Sequence, residues 1–308
     1  MTTIGITGGT GFVGRHLTAL LLSKGYKVVI FTRNAGKHSA APSVAYAMWN
    51  PATGECDATA LASIDAIVHL AGAGIADKRW TDKRKREIVS SRVDGTRFLV
   101  SALKYHAHHC KALVSASAIG YYGADNGSGP FAEDSPAAAD FLGQTCVKWE
   151  KETQKAAEFL RTVVFRFGIV LGKESGAFPE LAKPMKFGIM PILGSGKQVV
   201  SWIHVNDLAA MLCMAIENTL VKGTYNAVAP KPISHKELMK TIAAHMPGVT
   251  IPVPVPSWAL KIALGEMSVE LLKSCTVSSE KIQRAGFTFQ YPSIEMAIAA
   301  IKSDRHNR

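Results

Sequence analysis

The chain is poor in cysteine and has no long uncharged apolar run. Its five cysteines, Cys56, Cys110, Cys146, Cys213 and Cys275, are widely spaced and form no CxxC. That pattern predicts free thiols in a reducing, cytoplasmic compartment, with neither a disulfide frame nor a zinc site. The longest apolar candidate, residues 251–264, is broken by Pro and Lys. It falls short of the ~20 residues a membrane span needs, so no membrane partner is expected. The first apolar run, Ile4 to Ile6, is followed closely by glycines, so no signal peptide is expected. No Asp or Glu occurs anywhere from Met1 to Gly54.

What is present fits a globular α/β protein. The 308 residues suit one compound unit or two domains, and 47% of them are hydrophobic. The net charge of +11 suits partners that carry phosphate, nucleic acid or an anionic surface. Residues 3–7 (TIGIT) read as a strand, 12–23 as a helix with apolar residues at helical spacing, and 27–32 (KVVIFT) as a second strand. Further strands are expected at 66–70, 112–115 and 162–167, alternating with helices to about Ala107 and over 141–159. A helix over 206–218 and a strand near 225–228 read as a return to the sheet. Strands alternating with helices predict a doubly wound, Rossmann-type parallel sheet. The expected division is a dinucleotide domain of residues 1–171 with 202–230. A smaller, mostly helical lobe takes 231–308, with 172–201 contributing. Ser234 and Glu237 fit a capping box within that lobe.

The segment TGGTGFVG carries the chemistry. Gly9, Gly11 and Gly14 satisfy GxGxxG, and Gly8, Gly11 and Gly14 satisfy GxxGxxG. The glycines allow a tight turn, close approach of the backbone to a pyrophosphate, and close packing of helix on strand. A helix starting at Phe12 points its free N–H groups at that pyrophosphate. After the second strand an NAD enzyme usually has Asp or Glu for the ribose hydroxyls. Here stand Thr32 and Arg33. Arg33 can pair with a 2′-phosphate, with Lys37 helping, so NADP(H) is expected over NAD(H). The alternative for Arg33 is an exposed arginine without a ligand.

TGGTGFVG, HLAGAGI, SASAIGYYG, SWIHVNDLA and NAVAPKPISHKEL resemble the successive signposts of extended short-chain dehydrogenases/reductases. KRWTDKRKREIVSSRVDGT, VKWEKE, GSGKQVVSWIHVNDL and GFTFQYPSIEMAI resemble an atypical branch: the cell-division-inhibitor-like (SulA-labelled) nucleoside-diphosphate-sugar epimerases. The tail from about Val253 resembles that branch's C-terminal domain of unknown function. The resemblance implies that Gly8, Thr10, Gly11, Phe12, Val13 and Gly14 cradle the pyrophosphate. It places Thr32 and Arg33 at the adenosine ribose and its phosphate. Leu70, Ala71 and Gly72 would pass beside ribose and pyrophosphate, Glu87 and Arg92 would reach the cofactor, and Val170 would border the nicotinamide.

In active members of the wider family a Tyr and a Lys four residues later carry the proton chemistry. None of the seven tyrosines here has a lysine at that spacing, and the matching positions are Leu142 and Cys146. Ser117 stands where the family keeps a hydroxyl near substrate, and Tyr121 and Tyr122 follow in the adjoining loop. These three are the catalytic candidates. Cys146 is read as packing, His204 as a hydrogen-bonded core residue and Asp207 as a helix cap. The basic run Lys78–Arg92 is read as a helix face with members near cofactor phosphates, because no aromatic platform for nucleic acid accompanies it. His106, His108, His109 and Cys110 are read as a surface turn, with no metal expected. The expected function is an NADP(H)-dependent oxidoreductase or epimerase acting on a small polar substrate of nucleotide-sugar type, with a homodimer as a candidate assembly. The alternative is a non-catalytic NADPH-binding sensor or scaffold.

Overall fold

The computed structural model describes residues 2–39, 41–106 and 109–303. The chain starts with β1 (Thr3–Thr7), α1 (Phe12–Ser23) and β2 (Lys27–Thr32), within the expected bounds. Leu17 and Leu21, one helical turn apart, bury the inner face of α1, and Gly25 at φ +81° lets the chain reverse into β2. β3 (Val44–Asn50), β4 (Glu55–Cys56), α2 (Ala58–Ala62) and β5 (Ala66–His69) follow. Then come the long α3 (Asp82–His106), β6 (Ala112–Ala118), α4 (Phe141–Gln154) and β7 (Arg161–Phe167). The helix expected over 141–159 tightens to a 3-10 turn at Lys155–Glu158. β3 and β4 were not expected from sequence.

The second half holds β8 (Ile169–Leu171), α5 (Ala177–Ala182), β9 (Ile189–Leu193), β10 (Val199–Val200), β11 (Trp202–His204), α6 (Val205–Glu217) and β12 (Gly223–Ala227). It ends with β13 (Ile233–Ser234), α7 (His235–Ala244), β14 (Ile251–Val255), α8 (Ser257–Leu264), α9 (Ser268–Leu272), α10 (Glu280–Arg284) and α11 (Ile294–Ser303). The capping box at Ser234 and Glu237 is present, with the Glu237 N–H donating to Ser234 Oγ at 3.2 Å.

One eight-stranded sheet in the order β12-β7-β6-β5-β1-β2-β3-β4 organises the protein. All its pairings are parallel except β3 with β4. Parallel strands buried on both faces read as continuous apolar runs, as β1, β2 and β5 do. On one face α1 and α6 bury Leu17, Leu21, Leu208 and Leu212 against Ile4, Ile6 and Val114. On the other, Leu99, Val100 and Leu103 of α3 pack on Phe31, Ile67 and Leu113. A separate cluster joins Phe178, Met185, Met190 and Trp202 to Leu238, Ile242, Ile298 and Ile301. The order changes direction between β1 and β5, and such a switch point opens a crevice at the carboxyl ends of the strands.

Candidate functional site: the glycine turn and the buried polar network behind it

Gly8 leaves β1 with φ +70°, and its carbonyl accepts the Gly11 N–H at 3.0 Å. A Cβ on Gly8 would lie 2.8 Å from the Leu70 carbonyl carbon; one on Gly14 would lie 2.5 Å from both Gly8 O and Gly9 Cα. Glycine at both positions therefore lets β1, β5 and α1 converge. α1 opens at Gly11 without a side-chain cap and with no acidic residue in its first turn. Its first amides are left for an anion, favoured further by the helix dipole. Thr10 sits at the exposed apex, where its carbonyl accepts from Arg15 at 3.2 Å. Phe12 packs against Gly172 and Gly176, which brings the β8 end to the turn, and half-buried Val13 and Val170 pack against the same core cluster.

Thr32 is half-buried at the end of β2, and Arg33 is exposed. Among the described residues Arg33 makes no hydrogen bond or ion pair. The Leu70 N–H donates to Thr7 O at 3.0 Å, and that of Ala71 reaches Thr7 Oγ1 at 3.4 Å. Thr7 Oγ1 also lies 2.6 Å from Nδ1 of His69, whose Nε2 is 3.0 Å from Thr96 Oγ1. Burial pulls the His69 pKa down to about 4.

Gly72 faces Arg92; its added Cβ would lie 3.4 Å from the guanidinium carbon. Arg92 Nη1 donates to the carbonyls of Ala73 (2.9 Å) and Ile88 (3.2 Å), and Cζ is 5.3 Å from the Trp149 ring centroid. Among the described residues it has no carboxylate partner, and desolvation lowers its pKa. Glu87 is exposed and pairs with Arg84 Nη1 at 2.8 Å, which holds its carboxyl below the ordinary value. Arg84 itself is buried and also bonds Gly74 O and Asp77. The basic run is thus not one solvated face: Arg84 and Arg92 turn inward and Lys85 pairs with Glu266.

The catalytic candidates meet a buried polar network. Ser117, the last residue but one of β6, is buried and donates to Glu150 Oε1 at 2.6 Å. Glu150 receives two bonds from Arg166, Nε to Oε1 and Nη2 to Oε2, each 2.8 Å. Arg166 Nη1 donates to the Tyr122 hydroxyl at 2.8 Å, and that hydroxyl donates to Asn226 Oδ1 at 2.6 Å. Burial pushes the Tyr122 phenol up to about 12. Burial opposes the charge on Arg166, but the Glu150 carboxylate holds its pKa above the ordinary value. Tyr121 differs from its neighbour. It is half-buried, its ring centroid lies 3.4 Å from Arg166 Cζ, and its hydroxyl makes no hydrogen bond among the described residues. Leu142 and Cys146 lie buried on α4. Cys146 Sγ is 3.8 Å from Ala118 O, and burial pushes the thiol up to about 11.

Sequence reasoning missed Glu150, Arg166 and Asn226. The available signal was Arg166 within the apolar run TVVFRF, since a buried guanidinium requires a partner. Asp207 requires a correction. The cap of α6 is His204, whose ring accepts the Asn206 N–H, at Nδ1 and 3.2 Å. Asp207 stands in the first turn, and its buried carboxylate accepts the N–H groups of Gln290 (2.9 Å) and Tyr291 (3.0 Å). It ties the C-terminal segment to α6. Of the His106–Cys110 group, His108 lies outside the described residues, while His106 ends α3 and His109 is exposed. Among the described residues no group of His, Cys, Asp and Glu is arranged to hold a metal ion. No helix there is long and apolar enough to cross a membrane.

A doubly wound parallel sheet with this glycine turn at its switch point defines a Rossmann-type nucleotide-binding protein. The chain belongs to the NAD dependent epimerase/dehydratase family, whose model matches residues 4–227. A domain of unknown function, DUF1731, matches residues 255–301. Epimerase family protein YfhF of Bacillus subtilis (strain 168) is 40% identical over 306 residues, 98% of each chain. The chloroplastic SDR39U1 homologue of Arabidopsis thaliana is 33% identical over 97% of this chain and 86% of its own. The crystal structure of human epimerase family protein SDR39U1 (isoform 2) with NADPH superposes with a TM-score of 0.85 at 30% identity, over 99% of this chain and 100% of that one. UDP-glucuronic acid 4-epimerase of Bacillus cereus shares the fold, at TM-score 0.80 and 19% identity over 98% of both chains. The family resemblance and the fold class read from sequence are confirmed.

Proposed function

We propose that the chain binds NADP(H) and acts as an oxidoreductase or epimerase on a small polar substrate of the nucleotide-sugar class. The observation that carries this reading is the uncapped start of α1 behind Gly8–Gly14, together with an exposed Arg33, without a partner among the described residues, where NAD enzymes place a carboxylate. The site suits a pyrophosphate because the first amides of α1 carry no side-chain cap and glycine at position 14 lets α1 close on the Gly8 turn. Gly8, Thr10, Gly11, Phe12, Val13 and Gly14 hold that group. Thr32 and Arg33 take the phosphorylated ribose, Leu70, Ala71 and Gly72 line its path, and Val170 borders the nicotinamide. Arg92 offers an uncompensated cation beside Gly72, and Glu87 acts through Arg84. When bound, the cofactor supplies or accepts a hydride. The dinucleotide half is assigned to 1–171 with 202–230, and the substrate lobe to 231–308 with 172–201. NADPH bound by the human relative supports the cofactor assignment.

Of the two loop tyrosines, Tyr121 is assigned proton transfer, since the Tyr122 hydroxyl is held at both sides by Arg166 and Asn226. Ser117 lines the site, oriented by Glu150. Calorimetric titration with NADPH and NADH tests the cofactor: NADPH binds the more tightly, and equal affinities unchanged by Arg33→Ala would defeat the reading. Absorbance at the nicotinamide band tests net oxidation or reduction of nucleotide-sugars, and chromatography of the recovered sugar tests redox-neutral epimerisation; Tyr121→Phe should abolish either turnover and Tyr122→Phe should spare it. The replacement of the Tyr/Lys pair by Leu142 and Cys146 favours a second reading, an NADPH sensor without turnover. It predicts the same binding, with neither a nicotinamide change nor a converted sugar for any substrate offered.

A further inference from the structure

The molecule's exposed apolar side chains are not scattered. Among the described residues 14 large hydrophobic side chains stand exposed, and nine of them fall in residues 187–189 and 249–271. The two stretches are neighbours: β9 pairs with β14, with Ile189 opposite Ile251, and the Ile251 N–H donates to Gly188 O at 2.8 Å. α8 continues directly from β14. It turns Trp258 (66% exposed) and Ile262 (69%), one helical turn apart, to solvent and buries Leu260. Phe187 (79%), Val249 (86%) and Ile251 (65%) extend the face. Contiguous apolar exposure on this scale marks an interaction surface.

Charge narrows the occupant. From Lys183 to Leu193 and from His245 to Leu264 there is no Asp or Glu, while Lys183, Lys186 and Lys261 are exposed. A second copy seated face to face would oppose like charges. Pairing by strand addition is blocked as well. Amide directions alternate along a strand, so Pro252 and Pro254 fall where β14 would offer donors at its free edge, and they have none. Bulky apolar groups with tryptophan, framed by lysine, suit an anionic lipid surface, and the two carboxylates within 249–271, Glu266 and Glu270, are paired with Lys85 and Lys273.

We propose that β9, β14 and α8 form a docking face for an anionic membrane surface, entered by Trp258 and Ile262 and framed by Lys183, Lys186 and Lys261. Run length, on which the sequence expectation of no membrane partner rests, bears on spanning and not on surface contact. The proposal does not depend on the cofactor or on turnover.

Tryptophan fluorescence provides the test. Trp49, Trp80, Trp149 and Trp202 are buried, so Trp258 alone among the five tryptophans reports on the face. With vesicles of phosphatidylcholine containing phosphatidylserine, the emission should shift to the blue and be quenched by brominated acyl chains. Pure phosphatidylcholine should give far less, and added salt should weaken binding. At roughly 1 kcal/mol per lysine near such a surface, Lys183→Glu/Lys186→Glu/Lys261→Glu should lower the vesicle partition coefficient about a hundred-fold or more. Trp258→Ser should lower it with NADPH titration unchanged. Absence of sedimentation with the anionic vesicles would overturn the proposal, as would equal binding by the triple variant. Concentration-dependent dimers in light scattering, lost in Trp258→Ser and paired with no vesicle binding, would reassign the face to a second copy of the chain.

Discussion

Gly14→Ala puts the dinucleotide reading under direct strain. Gly14 is the third residue of α1, and in a free helix alanine is favoured there over glycine by up to about 1 kcal/mol. The structure reverses that preference. The new Cβ would lie 2.5 Å from Gly8 O and from Gly9 Cα, and both are backbone atoms that cannot rotate away. Restoring van der Waals contact moves α1 from the turn by about 1 Å, and overpacking of this kind costs about 1–3 kcal/mol. The helix amides then separate from the Gly8 turn, and hydrogen bonds stretched by that amount are lost. A lost bond to a charged group is worth about 1.5–3 kcal/mol, so NADPH affinity should fall at least about ten-fold while the melting temperature drops by a few degrees. Titration calorimetry and thermal unfolding read the two effects separately. Gly95→Ala is the control. It lies within α3, where the added Cβ would meet Trp49 Cη2 at an ordinary 3.8 Å, so it should leave NADPH affinity near wild type and keep the melting temperature or raise it by a few degrees. A Gly14→Ala protein that melts lower yet binds NADPH as wild type would place the pyrophosphate elsewhere and refute the argument.

Four further outcomes are expected. Arg33→Ala should weaken NADPH by about ten- to a hundred-fold and leave NADH nearly unchanged, since one charge-assisted contact is removed; equal losses for both cofactors would contradict a 2′-phosphate contact. Glu150→Ala leaves buried Arg166 unpaired and should cost about 3–5 kcal/mol in denaturant unfolding, whereas Glu150→Leu with Arg166→Met should recover most of it. His69 is neutral in the fold, with its pKa lowered from 6.5 to about 4, so the unfolded chain binds the extra proton between those values. Stability is therefore retained above about pH 6.5 and declines by up to about 3 kcal/mol as pH falls toward 4, and His69→Gln should flatten that part of the profile. Arg92→Met should raise the melting temperature of the cofactor-free protein and lower NADPH affinity; two changes of the same sign would show that Arg92 has only a packing role.

Local chemistry explains which parts of this architecture were legible in sequence. β1, α1 and β2 fall at their expected bounds because glycine chemistry punctuates them and their apolar spacing changes from continuous to helical between Thr7 and Phe12. β3 was missed because its less buried positions, Tyr46 and Met48, are themselves apolar, so the alternation with buried Ala47 and Trp49 exists in burial but not in polarity. The glycine turn was legible because its residues are contiguous. The Ser117–Glu150–Arg166–Asn226 network was not, since it joins β6, α4, β7 and β12, which only the completed sheet brings together. Asp207 misled for a related reason: its sequence position suggests a cap, but its partners are amides 83 and 84 residues away.

Charge accounting around the cleft links the missing lysine to the cofactor. With Leu142 and Cys146 on α4, positive charge near the site comes from arginines. Arg166 is matched by Glu150 through two 2.8 Å bonds, so the pair adds little net field and serves to fix Ser117 and both loop tyrosines. Arg92 is matched by no carboxylate among the described residues; carbonyl oxygens and the Trp149 ring are its recorded partners. A partly desolvated cation held by dipoles alone is destabilising, and the backbone beside it at Gly72 leads from β5 toward the Gly8 turn. An anion arriving at the α1 amides would offset that cost. Under the proposed cofactor site the same arginine weakens the empty protein and strengthens the loaded one, so its replacement should move stability and affinity in opposite directions.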